Sequence, residues 1–600
     1  MLYFNPLDKF CKNSIGGATT DTKLIFRVVS DANCLFFAIH KDGESTETRY
    51  AMTKINHYFQ VELFLGKGLY FYHFDFGNGK MVGLSDDYMG EIQDNPHEFQ
   101  LTIYDKHYKV PSWLNGGIIY QIFPDRFCRS GETKIERKDI VVHENWNDTP
   151  IYKPNSKGQV MNNDFFGGDL KGIASKLDYL SELGVTAIYL NPIFKAFSNH
   201  RYDTGNYLEI DPILGTEEDL KNLIEKSNEY GIKIILDGVF NHTGDDSIYF
   251  NKYGNYDSVG AYQSDDSKYI DWFKFIKYPN IYESWWGITT LPATDKSSSE
   301  FIKYIAGEDG VIEHYTKLGI GGWRLDVVDE LPAHFVREIR NAVKRNNQDA
   351  IIIGEVWEDA SNKIAYSVRR EYFQGRELDS VMNYPLKNAI IDYVLNGNVK
   401  HLSYTIKEQI DHYPTQVLNT LMNLLATHDT YRLMSAVGEL YASNKPKEEQ
   451  DKLVLTGELL DRATFRVKIA TLLSYTLCGV PSVYYGDEIG MQGYADPLNR
   501  KTFKWDNINH NLLNFFIKLG EIRRSYSCFA NGAFKELYSK SGAYMFKRYN
   551  EESEVLIMTN VGEEVKINFE GQLKNLLDGK IYVGEYLSKK NTFAVFVKNN

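Results

Sequence analysis

Cysteine is scarce in this chain. Cys11, Cys34, Cys128, Cys478 and Cys528 are the only five in 600 residues. The number is odd and the spacing matches no metal-ligand motif, which argues against a disulfide framework and against a cysteine-based metal site. Long apolar runs are missing too, so nothing here reads as a bilayer-spanning helix. Basic charge is in deficit: 67 Lys and Arg stand against 80 Asp and Glu, a net charge of −13. Nucleic-acid binders need basic patches, so a polyanionic partner is disfavoured, whereas a neutral substrate is unaffected. The N-terminus MLYFNPLDKF has neither an apolar core nor a cleavage-like site. The cytoplasm is therefore the expected compartment, with secretion left open should a leader precede this sequence. No internal repeat, low-complexity linker or charged tail stands out.

Aromatics, by contrast, are plentiful, with 42 Tyr and 34 Phe. Such rings suit protein cores and the apolar faces of sugars alike. A chain of this length should hold several domains. Residues 1–112 are rich in short, partly alternating segments such as KLIFRVVSD, CLFFAIHKD and LYFYHFDFG. They predict a β-sandwich of the kind that carbohydrate-binding modules adopt, its aromatics packing inward rather than binding sugar. From 113 to 529 apolar strand-like runs alternate with amphipathic helical ones. The strand-like runs are GGIIYQIFPDRF, VTAIYLNPIF, IKIILDGVFNH, GGWRLDVVDE, AIIIGEVW, SVMNYP, LMNLLATHD and PSVYYGDE. Eight βα units predict an α/β fold, a closed (β/α)8 barrel, with its chemistry at the C-terminal ends of the strands. The regularity lapses over 243–299, an insertion after the third strand of a length that is usually functional. Residues 530–600 return to strands and predict a small C-terminal β-domain.

The chemistry is concentrated in GGWRLDVVDE. In a strand, residues two apart point to the same side, so Arg324 and Asp326 should sit together. Buried charges are seldom left unpaired, and the guanidinium should hold the carboxylate ionised and aimed. A structural ion pair would look the same locally; the other strands decide. Asp237 and His242 close the third strand, Glu355 follows the fifth, and His428 and Asp429 end the seventh. In a barrel these ends converge on one mouth. Clustered carboxylates without a metal-type histidine set are what glycosyl transfer requires. Asp326 suits the ionised nucleophile. Glu355, flanked by Val356 and Trp357, suits an acid whose pKa is raised by apolar neighbours. Asp429 remains to bind hydroxyls and support the charged transition state.

DGVFNH, GWRLDVVDE, GEVW and LLATHD, in this order and on these strands, resemble the four signature regions of the α-amylase superfamily. FGGDLKGI, HRYDTGNY, VMNYP and YYGDEIG are similar to the family as well. The resemblance implies a retaining glycoside hydrolase that works by double displacement. It assigns Asp326 as nucleophile, Glu355 as general acid/base and Asp429 as transition-state stabiliser. It makes His242 and His428 the residues that bond the sugar in subsite −1, Tyr202 the ring that stacks on that sugar, and Arg324 the residue that positions the nucleophile.

The N-terminal β-domain, QIFPDRF, VMNYP and the tryptophan of GEVW are most similar to the neopullulanase/cyclomaltodextrinase/maltogenic amylase group. That group often carries Asp-Val-Ala-Asn-Glu at the nucleophile; this chain has Asp326-Val327-Val328-Asp329-Glu330, and Leu291–Asp295 (LPATD) is also altered. The resemblance places Trp357 on the leaving-group side and Asp496 and Arg500 as a clamp on the non-reducing side. Trp285 and Trp286 either wall the same cleft or pack beneath their loop. Cleavage of α-1,4 bonds, with α-1,6 bonds open, is implied for maltooligosaccharides, cyclodextrins, pullulan or starch. A 4-α-glucanotransferase or an α-1,6-acting pullulanase would use the same site. An inactive carbohydrate-binding subunit is disfavoured because all three acids are kept. No cofactor is required. A structural Ca2+, known in some relatives, is not favoured, because CRSGETKIE lacks their run of oxygen ligands and leaves Gly168 and Asp169 few partners. An α-glucan is the expected partner, with no nucleic acid and no membrane. Pairing into a homodimer through the N-terminal domain is compatible with the resemblance.

Overall fold

The computed structural model describes residues 1–131, 137, 139–156 and 158–599. Its centre is one parallel sheet of eight strands. These are β1 (Ile119–Ile122), β2 (Ala187–Leu190), β3 (Lys233–Gly238), β4 (Gly322–Leu325), β5 (Ile351–Gly354), β6 (Ser380–Val381), β7 (Met422–Leu424) and β8 (Val480–Tyr484). β1 to β6 pair in chain order, β8 pairs with both β7 and β1, and a single parallel bridge from Met382 to Met422 closes the circle between β6 and β7. All eight runs expected from the sequence are the strands observed.

The sheet closes because its strands are apolar on both faces, as a sheet covered by helices requires. Ile119, Ala187, Tyr189, Ile235, Ile351, Ile353, Met422 and Leu424 belong to one cluster inside the barrel. Their sequence neighbours, among them Tyr120, Ile188, Ile234, Leu325 and Ile352, join the larger core under the helices. The alternation has a period of two. Continued toward the C-terminal ends, it carries Gln121, Asp237, Arg324 and Glu355 onto the inward side. Gly322 is demanded by close approach: a Cβ there would lie 2.3 Å from the Ile351 carbonyl oxygen.

The helices are set locally. Glu217–Glu229 starts in a capping box, with Thr216 and Asp219 each bonding the other's backbone N–H. Ala333–Asn346 buries Phe335, Val336, Ile339 and Val343, one helical face. Among the described residues no helix is long and apolar enough to cross a membrane.

Before the barrel lie two antiparallel-rich sheets of four and seven strands. They share a core in which Phe26, Phe37, Tyr72, Phe74 and Phe99 pack edge-on or stacked. These aromatics fill the sandwich, as the sequence reading expects. After the barrel, Ala533–Lys598 forms a six-stranded sheet. Between 243 and 299 there are only short 3-10 turns, a small hairpin (Phe275–Lys277 with Ile281–Tyr282) and a helix that begins at Ser299. Phe250, Phe273 and Tyr282 give that segment an aromatic core of its own.

The sandwich is docked on the barrel next to the segment that follows β5. Arg369 makes a bidentate contact with Asp42, at 2.8 and 2.9 Å. Gln100 donates to Ser361 at 2.8 Å. Lys12 is paired with Asp411 and both are buried, while Tyr88 donates to the same carboxylate at 3.2 Å. Removing one partner of a buried pair strands a charge, at a cost of about 3–5 kcal/mol. Asp411→Ala should therefore lower the thermal midpoint by several degrees, and the double change Lys12→Met/Asp411→Leu should recover most of the loss. Equal loss in the single and double variants in a thermal melt would contradict a docking role for this pair.

Candidate active site

Arg324 lies on the floor of the barrel mouth, fully buried. Its Nη1 donates to Asp237 at 2.9 Å and to Asp326 at 2.7 Å, and its Nη2 lies 2.9 Å from Glu355. One guanidinium thus gathers carboxylates from the ends of β3, β4 and β5. The lateral register makes this geometric: Asp237 pairs with Arg324 across the ladder, and Arg324 with Ile353, two residues before Glu355.

Glu355 has two further donors. The Trp357 indole donates to Oε1 at 3.1 Å, and the Val327 backbone N–H donates to Oε2 at 2.9 Å. Val327 has φ 39° and ψ 49°, left-handed for a β-branched residue. Such strain costs on the order of 1–3 kcal/mol and tends to sit at functional sites. Here it is the turn that aims the amide between Asp326 and Val328 at Glu355.

A second network comes from β1, β2 and β7. Gln121 bonds His428 Nδ1 at 3.0 Å, His428 Nε2 lies 2.6 Å from the Tyr202 hydroxyl, and Tyr202 donates to Asp237 at 2.8 Å. Burial and the nearby Arg500 and Arg324 push His428 well below the usual imidazole range. A neutral ring that accepts from the Gln121 amide at Nδ1 carries its proton on Nε2. That proton faces Tyr202 and Asp429, whose Oδ2 is 3.1 Å away. Tyr202 and His428 stack at 5.1 Å with 5° between planes. His242, pushed down to about 3 by burial and Lys296, stacks on Trp285, and its Nε2 has no partner among the described residues.

These groups border a cavity of about 1320 Å3, lined by Tyr202, His242, Asp326, Glu355, Trp357, His428, Asp429, Asp496 and Arg500. Arg324, the remaining residue expected at the site, supports it from below. Arg500 joins the wall to the floor, with Asp496 at 2.8 Å and Asp429 at 3.5 Å. Trp285 and Trp286 also line the cavity, and both indole N–H groups donate to Glu330 Oε1, at 3.0 and 2.9 Å. Of the two readings of this pair, the wall is the one observed; Trp286 is 77% exposed. LPATD lies along the end of β3, where Thr243 N–H donates to Pro292 and Thr294 N–H to Asn241, at 3.1 Å each. Trp357 turns one face to Tyr384 at 3.9 Å.

Three residues of the site have no role in the sequence analysis. Gln121 carried a signal, a polar side chain at an inward strand position. Glu330 was seen only as part of a motif, since its partners lie more than forty residues away in the insertion. The left-handed Val327 carried no signal, because valine disfavours that conformation.

One expectation meets an opposing effect. Arg324 was expected to keep Asp326 ionised. Burial, reinforced by Glu355 and Asp237, pushes the Asp326 carboxyl well above its ordinary value despite Arg324. The sequence displayed one cation beside one acid; the fold divides that cation among three. Burial likewise raises Asp429 and Asp237. Of the loop read for calcium, Glu132–Glu136 lie outside the described residues. Asp169 caps the helix Leu170–Ala174, accepting from Gly172 N–H and the Ser130 hydroxyl, each at 2.6 Å.

Residues 121–527 match the model of the alpha-amylase catalytic domain. The chain belongs to the alpha-amylase family. It is 36% identical over 566 residues to an amylopullulanase from Thermoanaerobacter thermohydrosulfuricus, covering 85% of this chain and 37% of that protein. A cyclomaltodextrinase from Thermoanaerobacter pseudethanolicus is 32% identical, covering 78% of this chain and 74% of the relative. Among solved structures, the type III pullulan hydrolase from Thermococcus kodakarensis superposes with a TM-score of 0.70 at 25% identity, over 99% of this chain and 100% of that one. The chain spans between about a third and a half of the length of the amylopullulanases it matches.

In this alpha-amylase-family barrel the raised Asp326 has a consequence for stability. An acid whose folded pKa lies above its unfolded value weakens the fold as pH rises past the unfolded value, about 3.9. Asp326→Asn should therefore melt higher than the parent chain at pH 7, with the difference vanishing as pH falls toward 4. A variant that melts lower at pH 7, or a gap independent of pH, would contradict the burial argument.

Proposed function

We propose that this chain is a retaining glycoside hydrolase acting on α-1,4-linked glucans. The observation that carries the reading is the pair of carboxylates, Asp326 and Glu355, on one buried guanidinium at the C-terminal mouth of the barrel, inside an aromatic-walled cleft. Paired acids are what glycoside hydrolysis needs, one to attack the anomeric carbon and one to protonate the leaving oxygen.

Asp326 Oδ attacks the anomeric carbon, and Glu355 gives its proton to the glycosidic oxygen as that bond breaks. The result is a glycosyl ester on Asp326 and a free acceptor end. Glu355, now ionised, takes a proton from water, the hydroxide attacks the anomeric carbon from the face the leaving group vacated, and the ester opens. Two inversions leave the α configuration. The cycle needs one proton shared between two acids. In the productive complex that proton belongs on Glu355 and Asp326 is the bare carboxylate. Arg324 lowers the cost of the bare Asp326 carboxylate as substrate displaces water. Asp429, His428 and His242 line the cavity where hydroxyls of the reacting glucose would lie, and neutral imidazoles suit neutral hydroxyls. Arg500 and Asp496 close the donor side.

The substrate is an α-glucan: maltooligosaccharide, cyclodextrin, pullulan or starch. The names of the relatives, amylopullulanase, cyclomaltodextrinase and pullulan hydrolase, support that class and leave α-1,6 bonds within range. The aromatic wall of Trp285, Trp286 and Trp357 favours a second outcome at the same site. A sugar stacked there could intercept the ester in place of water, which makes glucan transfer the competing reaction.

Two measurements test this. Proton NMR of the first product from a maltodextrin should show the α-anomer appearing before mutarotation, and the β-anomer first would refute retention. Asp326→Ala should lose at least about a thousandfold in kcat, or about 4 kcal/mol. Azide should then rescue turnover and yield the β-glycosyl azide. Maltotriose products longer than the substrate would assign a share of the flux to transfer, and Trp286→Ala should reduce that share.

A further inference from the structure

Outside the cleft, a cluster of metal-ligating side chains lies where three parts of the chain meet. Glu408 and His412 are one turn apart on the helix Val399–His412, so they share a face. Asp359 reaches them from the segment after β5, two residues beyond Trp357 and four beyond Glu355. The sandwich borders the same spot: Thr102 donates to the His412 carbonyl at 2.9 Å, and Gln100 to Ser361 at 2.8 Å. One ligating atom from each of Asp359, Glu408 and His412 lies within 4.8 Å of the other two.

His412 is buried, and its Nδ1 is 2.8 Å from Asp359 Oδ2. Glu408 is half-buried, and among the described residues its carboxylate accepts no hydrogen bond; the cations that act on it are His412 and, more weakly, His401. A desolvated carboxylate without a donor is costly. We propose that Asp359, Glu408 and His412 bind a first-row divalent cation of the Zn2+ class. One imidazole and two carboxylates, with a water in the fourth position, match the N/O donors that such an ion takes at about 2.0–2.2 Å. Ligand atoms sit about 3.3 Å apart around such an ion, so the 2.8 Å contact between His412 and Asp359 would open slightly while Glu408 draws in. Bound there, the ion would tie the segment that bears Glu355 and Trp357 to the helix below it.

A second cluster, Glu47, His73 and Glu98, meets the same distance limit. There the two ring nitrogens of His73 face different carboxylates, Nδ1 toward Glu98 at 3.3 Å and Nε2 toward Glu47 at 3.7 Å. That is a bridge between two acids, and Glu47 is exposed.

Calorimetric titration of the full chain with Zn2+, after chelator treatment, tests the site without reference to catalysis. The parent chain should bind one tight equivalent and melt higher with it. Glu408→Gln should bind at least about tenfold more weakly. It should melt no lower than the parent without metal, because it removes a half-buried acid that accepts no hydrogen bond. Asp359→Asn should weaken binding too, whereas His73→Gln should leave the tight equivalent intact. Absence of tight binding in the parent chain, undiminished binding in Glu408→Gln, or loss of the tight equivalent in His73→Gln would each overturn the assignment.

Discussion

The acids on the floor of the barrel mouth are arranged around one buried cation. Arg324 meets Asp237, Asp326 and Glu355 at 2.7 to 2.9 Å. A guanidinium is rigid and planar, so groups bonded to its two terminal nitrogens are fixed relative to each other. The barrel supplies the rest. Parallel register puts the ends of β3, β4 and β5 side by side, and the alternation of side chains turns their polar residues inward. With three acids on one cation the group is under-neutralised. That explains why burial prevails at Asp326.

Around this acidic floor the polar groups are mostly neutral. His428 and His242 are driven down by burial, so they offer hydrogen bonds without charge. Gln121 fixes the tautomer of His428 and Tyr202 passes the chain on to Asp237. The aromatic wall is held by an acid as well: Glu330 ties two indoles of the insertion to the turn that follows β4. The acidic floor and the aromatic wall are thereby anchored on the same ten-residue stretch, Gly321 to Glu330.

Much of this was legible in the sequence. Eight apolar runs in βα alternation specify the barrel, and ionisable residues at their ends specify the mouth, because both follow from the period-two geometry of strands. The Arg324–Asp326 contact follows from the same rule. What depends on contacts between distant segments was not legible. The sharing of Arg324 with Asp237 and Glu355 needs the register of three strands. The fate of Trp285 and Trp286 needs the path of the insertion. The left-handed Val327 runs against the preference of its residue type, and such departures are expected where function overrides local propensity. The burial that opposes ionisation of Asp326 was hidden for the first of these reasons.

The account stands or falls on which atom takes the sugar. Incubation with an activated fluorosugar that forms the ester quickly and releases it slowly would trap the chain, and peptide mapping by mass spectrometry would locate the mass. The account predicts a single glycosyl adduct on the peptide containing Asp326, absent from Asp326→Asn. An adduct on Glu355 or Asp429, or turnover of the reagent with no adduct at all, would contradict it.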